Sequence, residues 1–412
     1  MASLFEVNRD VNSVASIGGR PARISWRNGL ITSVATLAIA SLLLSSCTPL
    51  TPMNANALSP PLDRTQLIAG ADHACIVPSG SRPNVAWGHL VNPILSSPIA
   101  GEKDEAIIWA GGMWHMLFSY VTNDPRLPGG VRWNIGTSES KNMLTWTKPS
   151  LWPSQAGVIG VASPDIVRSP SGEFVATYES EGGVSGASDK IFYRTSTTLK
   201  TWSTPHPLAP SLAPLPRVRM IDPALAFTGN GLILGFKTGP NGSKAIKSSS
   251  GQAFEIAWSR SGSLQGPWRL IGIPGISIYH DTVENYEFFV ANGKWHLLAT
   301  SNTLDQPWLF TLAGDPLNPS SWLRWTNGHK LNVPYESWNS GPGISSIGFE
   351  HANSAFICNA RADGGYYYLL YAGSRELTQF GGWGHAKIGI ARSTDLVHWQ
   401  VPKGPKPVTP RR

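Results

Sequence analysis

The sequence predicts an all-β chain folded as a five-bladed β-propeller, and three observations carry that prediction. The first is composition. Of 412 residues, 42 are glycine, 33 proline and 17 tryptophan, while charged residues make up only 14%. Such a turn-rich chain suits packed sheets better than helices, and no stretch sustains an amphipathic helical repeat. The second is an internal repeat. A polar or acidic residue, an apolar run, a glycine turn and an aromatic-rich run recur from Asp104, Asp165, Asp222, Glu284 and, more loosely, His351. These starts return about every 60 residues. The third is a polar segment that ends each unit in a tryptophan: Trp146, Trp202, Trp268, Trp322 and Trp399. Each unit has room for four short strands, and radially arranged sheets bury their faces against one another with few exposed edges. Two stacked β-sandwiches would not produce a fivefold spacing.

Taken in order, the chain begins with a processing segment. Gly29–Leu44 is apolar and uncharged, follows Arg9, Arg20, Arg23 and Arg27, and runs into Leu44-Ser45-Ser46-Cys47. A basic region, a short apolar core and small residues form the layout of an export signal. The apolar run is short for a bilayer span, which needs about 20 residues. Leu-Ser-Ser-Cys resembles the lipobox of bacterial lipoproteins, which implies lipidation at Cys47. The expected location is extracytoplasmic, either secreted or held at a membrane through that lipid alone.

Residues 1–47 therefore read as the signal, 48–85 as a Pro/Ser-rich linker and edge segment, 86–402 as the propeller, and 403–412 as a basic, proline-rich tail. The net charge of +7 sits mostly in the two ends, so the body carries no basic excess that would suit nucleic acid. Beyond Cys47 only Cys75 and Cys358 remain, and no Cys/His spacing suits zinc. In an exported protein these two can pair, tying the N-terminal segment to the last repeat. Two buried thiols are the equal alternative.

The hairpins place the chemistry. In Asp281–Thr300 an acidic cluster leads into an apolar strand, an Asn292-Gly293 turn of the kind favoured in tight hairpins, and a second strand. Innermost propeller strands line the axis, so the residues that start them converge. Carboxylates sharing a partly dehydrated funnel push one another's pKa values apart. Glycosidic cleavage needs such a separation, with one protonated acid and one ionised base. Each candidate has a plain competitor. Asp222 before Pro223 can cap a turn. Glu284 competes with Asp281 and Glu287, and Asp104 with Glu105; counting back from the hairpin glycine favours Asp104 and Glu284. Asp165, after Ser163-Pro164, reads as a channel-lining substrate contact. Trp109, Trp133, Trp308, Trp338 and Trp383 are candidates to stack on sugar faces. Arg217 and Arg219 are candidates to meet hydroxyls or an acidic sugar, or are solvated loop residues.

At these residues the chain resembles the five-bladed propellers of glycoside hydrolase family 43 and its relatives, which include arabinanases, arabinofuranosidases and xylosidases. Met220-Ile221-Asp222-Pro223-Ala224 is similar to the Ile-Asp-Pro motif around that family's pKa-modulating aspartate. Lys103-Asp104-Glu105-Ala106 stands where the family has an Asp-Pro general base. Val283-Glu284-Asn285-Tyr286 stands where it has Glu-Gly-Pro or Glu-Ala-Pro around its general acid, and Asn285-Tyr286 departs from that pattern. His351 falls where many members supply a channel histidine, sometimes near calcium. The resemblance implies an inverting glycosidase acting on a pentose-containing oligo- or polysaccharide. In it Asp104 is the base, Glu284 the acid and Asp222 the modulator, with no cofactor unless calcium lies near His351. Asp165, His351, Trp109 and Trp338 complete the expected site, in a monomer. The competing classes are a carbohydrate-binding propeller without catalysis and a phosphorolytic propeller with a basic phosphate site.

Overall fold

The computed structural model describes residues 75–127, 130–183, 189–212, 219–238, 253–276, 278, 283–301, 306–326, 328–339, 350–375 and 386–405. The segment read as an export signal, Cys47, Asp281, Arg217, Trp383 and most of the linker and tail lie outside them.

Five antiparallel sheets follow one another along the chain. Blade one is β1 (Gly101–Ala110), β2 (Met113–Asn123), β3 (Val131–Ser140) and β4 (Ser150–Leu151). Blade two is β5 (Val158–Arg168), β6 (Phe174–Gly183), β7 (Ile191–Ser196) and β8 (His206–Pro207). Blade three is β9 (Met220–Thr228), β10 (Gly231–Thr238), β11 (Ala253–Ser259) and β12 (Arg269–Gly272). Blade four is β13 (Val283–Ala291), β14 (Lys294–Ser301), β15 (Gln306–Thr311) and β16 (His329–Lys330). Blade five is β17 (Glu350–Ala360), β18 (Tyr366–Ser374) and β19 (Lys387–Ser393). First strands meet in a ring, β1 with β5, β5 with β9, β9 with β13, β13 with β17 and β17 with β1. The predicted all-β, five-bladed propeller is the observed fold. Among the described residues the only helical pieces are short 3-10 turns.

The sheet cores lie between blades, where aromatic residues of adjoining sheets interdigitate. Trp322, which closes blade four, is fully buried and packs edge-on to Phe288 and Trp295. Trp268 and Trp399 are buried at the same place in blades three and five, whereas Trp146 and Trp202 are only partly covered.

The ring is closed by the N-terminal segment. The main chain of Ile94 and Leu95 hydrogen-bonds Ile388 of β19, and the Asn92 side chain bonds both the N–H and the carbonyl of Ile390. Gln400 pairs with Arg392 further along the same edge. Blade five thus receives its outer edge from both ends of the propeller. Just upstream, Val77 N–H donates to the Asn359 carbonyl, and a disulfide joins Cys75 to Cys358. Of the two alternatives open for these cysteines, pairing is the one realised. The bridge spans a sequence separation of 283 residues, so its loss frees a very long loop in the unfolded chain. Cys358→Ser is expected to cost about 2–5 kcal/mol, read as a lower urea midpoint with an oxidised wild-type control.

A second expectation concerns pH. Glu102 in β1 is 1% exposed, neither carboxyl oxygen has a partner among the described residues, and burial pushes its pKa up to about 8. The folded chain therefore holds a proton that the unfolded chain releases near pH 4.3. This contribution is complete below that pH and is lost as pH rises toward 8. Glu102→Gln should flatten the fall in Tm between pH 5 and 8.

Candidate active site

Every innermost strand contains a bulge, and each bulge holds a non-glycine residue in the left-handed region. These are Asp104 (φ 53°), Ser163 (φ 48°), Asp222 (φ 50°), Asn285 (φ 49°) and Ser354 (φ 51°). The ladder shifts register at each one, between Lys103 and Ala106 in β1 and at the matching points of the other four strands. Left-handed backbone costs an ordinary residue roughly 1–2 kcal/mol, and Asp and Asn tolerate it best. Five such residues from five blades surround an axial cavity of about 20 Å³, room for about one water.

The bulges correct the register expected from sequence. Asp104 and Asp222 are equivalent, but the blade-four equivalent is Asn285, not Glu284, and the blade-two and blade-five equivalents are Ser163 and Ser354. Glu284 lies one residue before its bulge, in the position Lys103 holds in blade one. The departure at Asn285-Tyr286 has a local reason. Asn285 takes the left-handed position and donates from Nδ2 to Asp104 Oδ1 (3.1 Å). Tyr286 is buried, stacks on Phe254 and donates its hydroxyl to the Val283 carbonyl (2.6 Å).

Asp104 is 6% exposed and well supplied with donors. Its Oδ1 accepts the Ser354 hydroxyl (2.6 Å) beside Asn285, and Lys103 Nζ stands 3.7 Å away. Across the funnel, Lys237 Nζ of β10 contacts Glu284 Oε2 at 2.7 Å and Asp222 Oδ2 at 3.9 Å. Burial alone would lift the Glu284 pKa, but Lys237 and Lys103 outweigh it and hold the group below its usual value. Asp222 is affected in the opposite direction. Burial raises it, Lys237 pulls it back, Glu284 and Asp104 raise it again, and it stands at about 6.

A third wall comes from blade two. Glu179 of β6 is buried, accepts the Asp222 N–H at Oε2 (2.6 Å) and the Ser163 hydroxyl at Oε1 (3.2 Å). Burial, then Asp222 and Glu181, push it well above the carboxylate range. Glu181, two residues on, is lifted to about 7 by burial and then by Asp189. Arg219, which sequence offered as a hydroxyl contact, closes this wall through an ion pair with Asp189 (2.7 Å).

The structure thus brings Asp104, Asp222 and Glu284 to one funnel. Asp165 shares the axial cavity with Asp104 and Asp222, and the other expected residues lie elsewhere. Asp165 lines the axial cavity, but its carboxyl accepts the Leu225 N–H (2.8 Å), and burial lifts its pKa to about 7. It joins blade two to blade three, as Glu287 joins blade four to blade five through the Ile357 N–H (2.7 Å). Trp109 sits at the hairpin end of β1, about 16 Å along the strand from Asp104, packed edge-on to Trp114. Trp338 is core: its ring lies against Gly373 and Gly389, where a Cβ would approach it to 2.9 and 2.5 Å. His351 stacks on Tyr335, with Nε2 3.0 Å from the Val333 carbonyl and Nδ1 3.3 Å from that of Asn339. Burial lowers its pKa, while the Val333 and Asn339 carbonyls act in the opposite direction. With its nitrogens turned to main-chain carbonyls, His351 does not fit a calcium-linked role, and no group of three His, Cys, Asp or Glu suited to a metal exists among the described residues.

No protein-family model and no curated protein matches the sequence. Solved structures do match. A thermostable family-43 glycoside hydrolase shares 14% identity over 78% of this chain and 97% of its own, with a TM-score of 0.50. A family-43 β-xylosidase/α-arabinofuranosidase from a compost microbial metagenome, in complex with xylotriose, shares 15% over 76% and 97%, also at 0.50. A member of the GH130 family, described with hydrolases that target β-1,2 mannosidic linkages in Candida mannan, shares 12% over 82% and 95%, at 0.50. The likeness is one of fold.

Sequence reasoning did not single out Lys237, Lys103, Glu179, Glu181 or Ser354. The signal available was alternation: Glu179 and Glu181 put two carboxylates on one face of an otherwise apolar strand. Because Glu179 satisfies the main chain of a strained bulge in the next blade, Glu179→Leu should destabilise the fold by about 1–3 kcal/mol. Glu179→Gln, which can still accept, should cost less; paired urea titrations test the difference.

Proposed function

We propose that this chain is an exported glycoside hydrolase that cleaves a glycosidic bond at the mouth of the axial funnel. The observation that carries the reading is the arrangement of Asp104, held by donors from two other blades, opposite a wall of carboxyls that retain protons near neutrality. Asp104 is oriented to take a proton from an attacking water. Burial favours the protonated forms of the blade-two carboxyls, Asp222 tunes the acid side, and attack by water from the opposite face inverts the anomeric centre. Glu284 with Lys237 offers an acceptor and a donor side by side, which suits recognition of sugar hydroxyls. As placed, Glu284 is a carboxylate held by an ammonium, so it protonates a leaving oxygen only if that contact breaks.

The fold likeness to hydrolases that take xylose and arabinose units supports a pentose-containing oligo- or polysaccharide as substrate. The signal-like segment before Cys47 supports secretion or lipid anchoring outside the cytoplasm. A screen on aryl α-L-arabinofuranosides, aryl β-D-xylosides and arabinan tests the reading. Turnover of at least one is expected, with Asp104→Asn lowering kcat by about 100-fold or more. Sugar binding without turnover would leave a carbohydrate-binding propeller instead.

A further inference from the structure

Between the outer strands of blades one and two lies a cleft of about 540 Å³, within the range of small-ligand sites. We propose that it is a second binding site, for an acidic saccharide held through its carboxylate. The proposal goes beyond the hydrolase reading and does not rest on it.

Blade one supplies one wall through β3 and β4, and blade two the other through β7 and the turn that follows it. The deciding group is Arg194 of β7. It lines the cleft and is only 8% exposed, and a charge so buried is ordinarily met by an opposite one. Its guanidinium instead lies over the Trp152 ring, 4.9 Å from the centre. Nε donates to the Tyr178 hydroxyl (3.3 Å) and Nη1 to the Ser203 carbonyl (3.5 Å). Among the described residues no carboxylate pairs with it, and Nη2 has no acceptor. The rim repeats the imbalance. Lys148 and Lys200 are exposed, one on each wall, and Lys200 acts on His115 across the cleft. Glu139 is the one acid among the lining residues, and it lies 3.3 Å from His115 Nδ1. Arg194, Lys148 and Lys200 thus face a single carboxylate that is already engaged, which leaves positive charge for an incoming anion.

The same walls offer surface for a sugar ring. Trp202 is half-buried and Leu151 is 44% exposed, so apolar area stands beside the cations. Such area meets the C–H face of a pyranose while a guanidinium meets its carboxylate; a bare inorganic anion would leave it unused. The cleft also stands apart from the axis, since His115 pairs with Ile108, about 13 Å along β1 from Asp104. In the funnel Lys237, Arg219 and Lys103 each face a carboxylate, whereas in the cleft Arg194 does not. The two places ask for different sugars, a neutral one at the axis and an acidic one on the wall.

Isothermal titration calorimetry of the full chain with trigalacturonate, its fully methyl-esterified form and sodium sulfate tests the site. Trigalacturonate should bind, and the ester, which has the same length without the charge, should bind about tenfold or more weakly. Added salt should weaken the acidic ligand and leave the ester unchanged. Arg194→Gln should lose about tenfold in affinity for trigalacturonate. Because Arg194 also packs on Trp152, the double variant Lys148→Ser/Lys200→Ser, at exposed positions, provides a second reading and should also bind several-fold more weakly. Asp104→Asn should bind as wild type does. Equal binding of acid and ester, sulfate binding as tightly as trigalacturonate, or wild-type affinity in the double lysine variant overturns the proposal. So does the absence of binding, or its loss in Asp104→Asn, which would put the ligand in the funnel. Binding is read here without turnover, so a failure of the hydrolase reading leaves this result standing, and the reverse holds as well.

Discussion

The structure depends on how one blade satisfies the main chain of the next at the axis, at the junctions of blades one and two, two and three, and four and five. A left-handed bulge lifts an N–H out of the sheet ladder, and a buried N–H without an acceptor costs as much as a lost hydrogen bond. The acceptor is supplied by the strand before it. Ser119 of β2 takes the Ser163 N–H (2.9 Å), and Glu179 of β6 takes that of Asp222. Lys237 occupies the same ladder position in blade three and, being a donor, turns instead to the Glu284 carboxylate. One further turn inward, Asp165 and Glu287 repeat the device on Leu225 and Ile357. The blades are therefore joined at the axis by side chain to main chain bonds, and those bonds are made largely by carboxyls.

That choice of acceptor sets the chemistry of the funnel. A carboxyl that must accept a main-chain N–H cannot move out to water, so it carries the desolvation cost and its pKa rises. The groups that join blades are the ones pushed upward, Glu179 and Glu287 well above the usual range and Asp165 to about 7. Glu284, one residue away from a bulge, makes no such bond and pairs with a lysine instead, so its pKa falls. Structural and chemical roles are thus separated by a single register step.

This also decides what could be read from the sequence. The fivefold repeat was legible because hairpin glycines and closing tryptophans are local features with fixed spacing. The bulge was not, since the five residues that occupy it are Asp, Ser, Asp, Asn and Ser, and no single residue type marks the position. Counting from the hairpin therefore found Asp104 and Asp222 but passed over Asn285 in favour of the neighbouring Glu284. Lys237 and Glu179 act on residues 47 and 43 positions away, in the following blade, so nothing near them in sequence announces a partner. Trp338 was misread for a different reason. A flat ring suits a sugar face and an inter-blade core equally well, and only the glycines at 373 and 389 reveal that Trp338 fills a core.

The same contacts weigh against the phosphorolytic alternative. An inorganic phosphate in the funnel would need cations with charge to spare. Lys237 is 2.7 Å from Glu284, Arg219 is 2.7 Å from Asp189, and Lys103 is 3.7 Å from Asp104. Each of these three is already matched by a carboxylate; Lys237 also lies 3.9 Å from Asp222 of β9, and Arg219 feels Glu179 and Glu181 of β6. Introducing a phosphate would set its charge against Asp104 and Asp222 and would require breaking at least one ion pair in a poorly solvated space, where that cost is greatest. A neutral sugar and a water demand neither. It is the pairing of the funnel's cations, more than the number of its acids, that fits hydrolysis of an uncharged glycan.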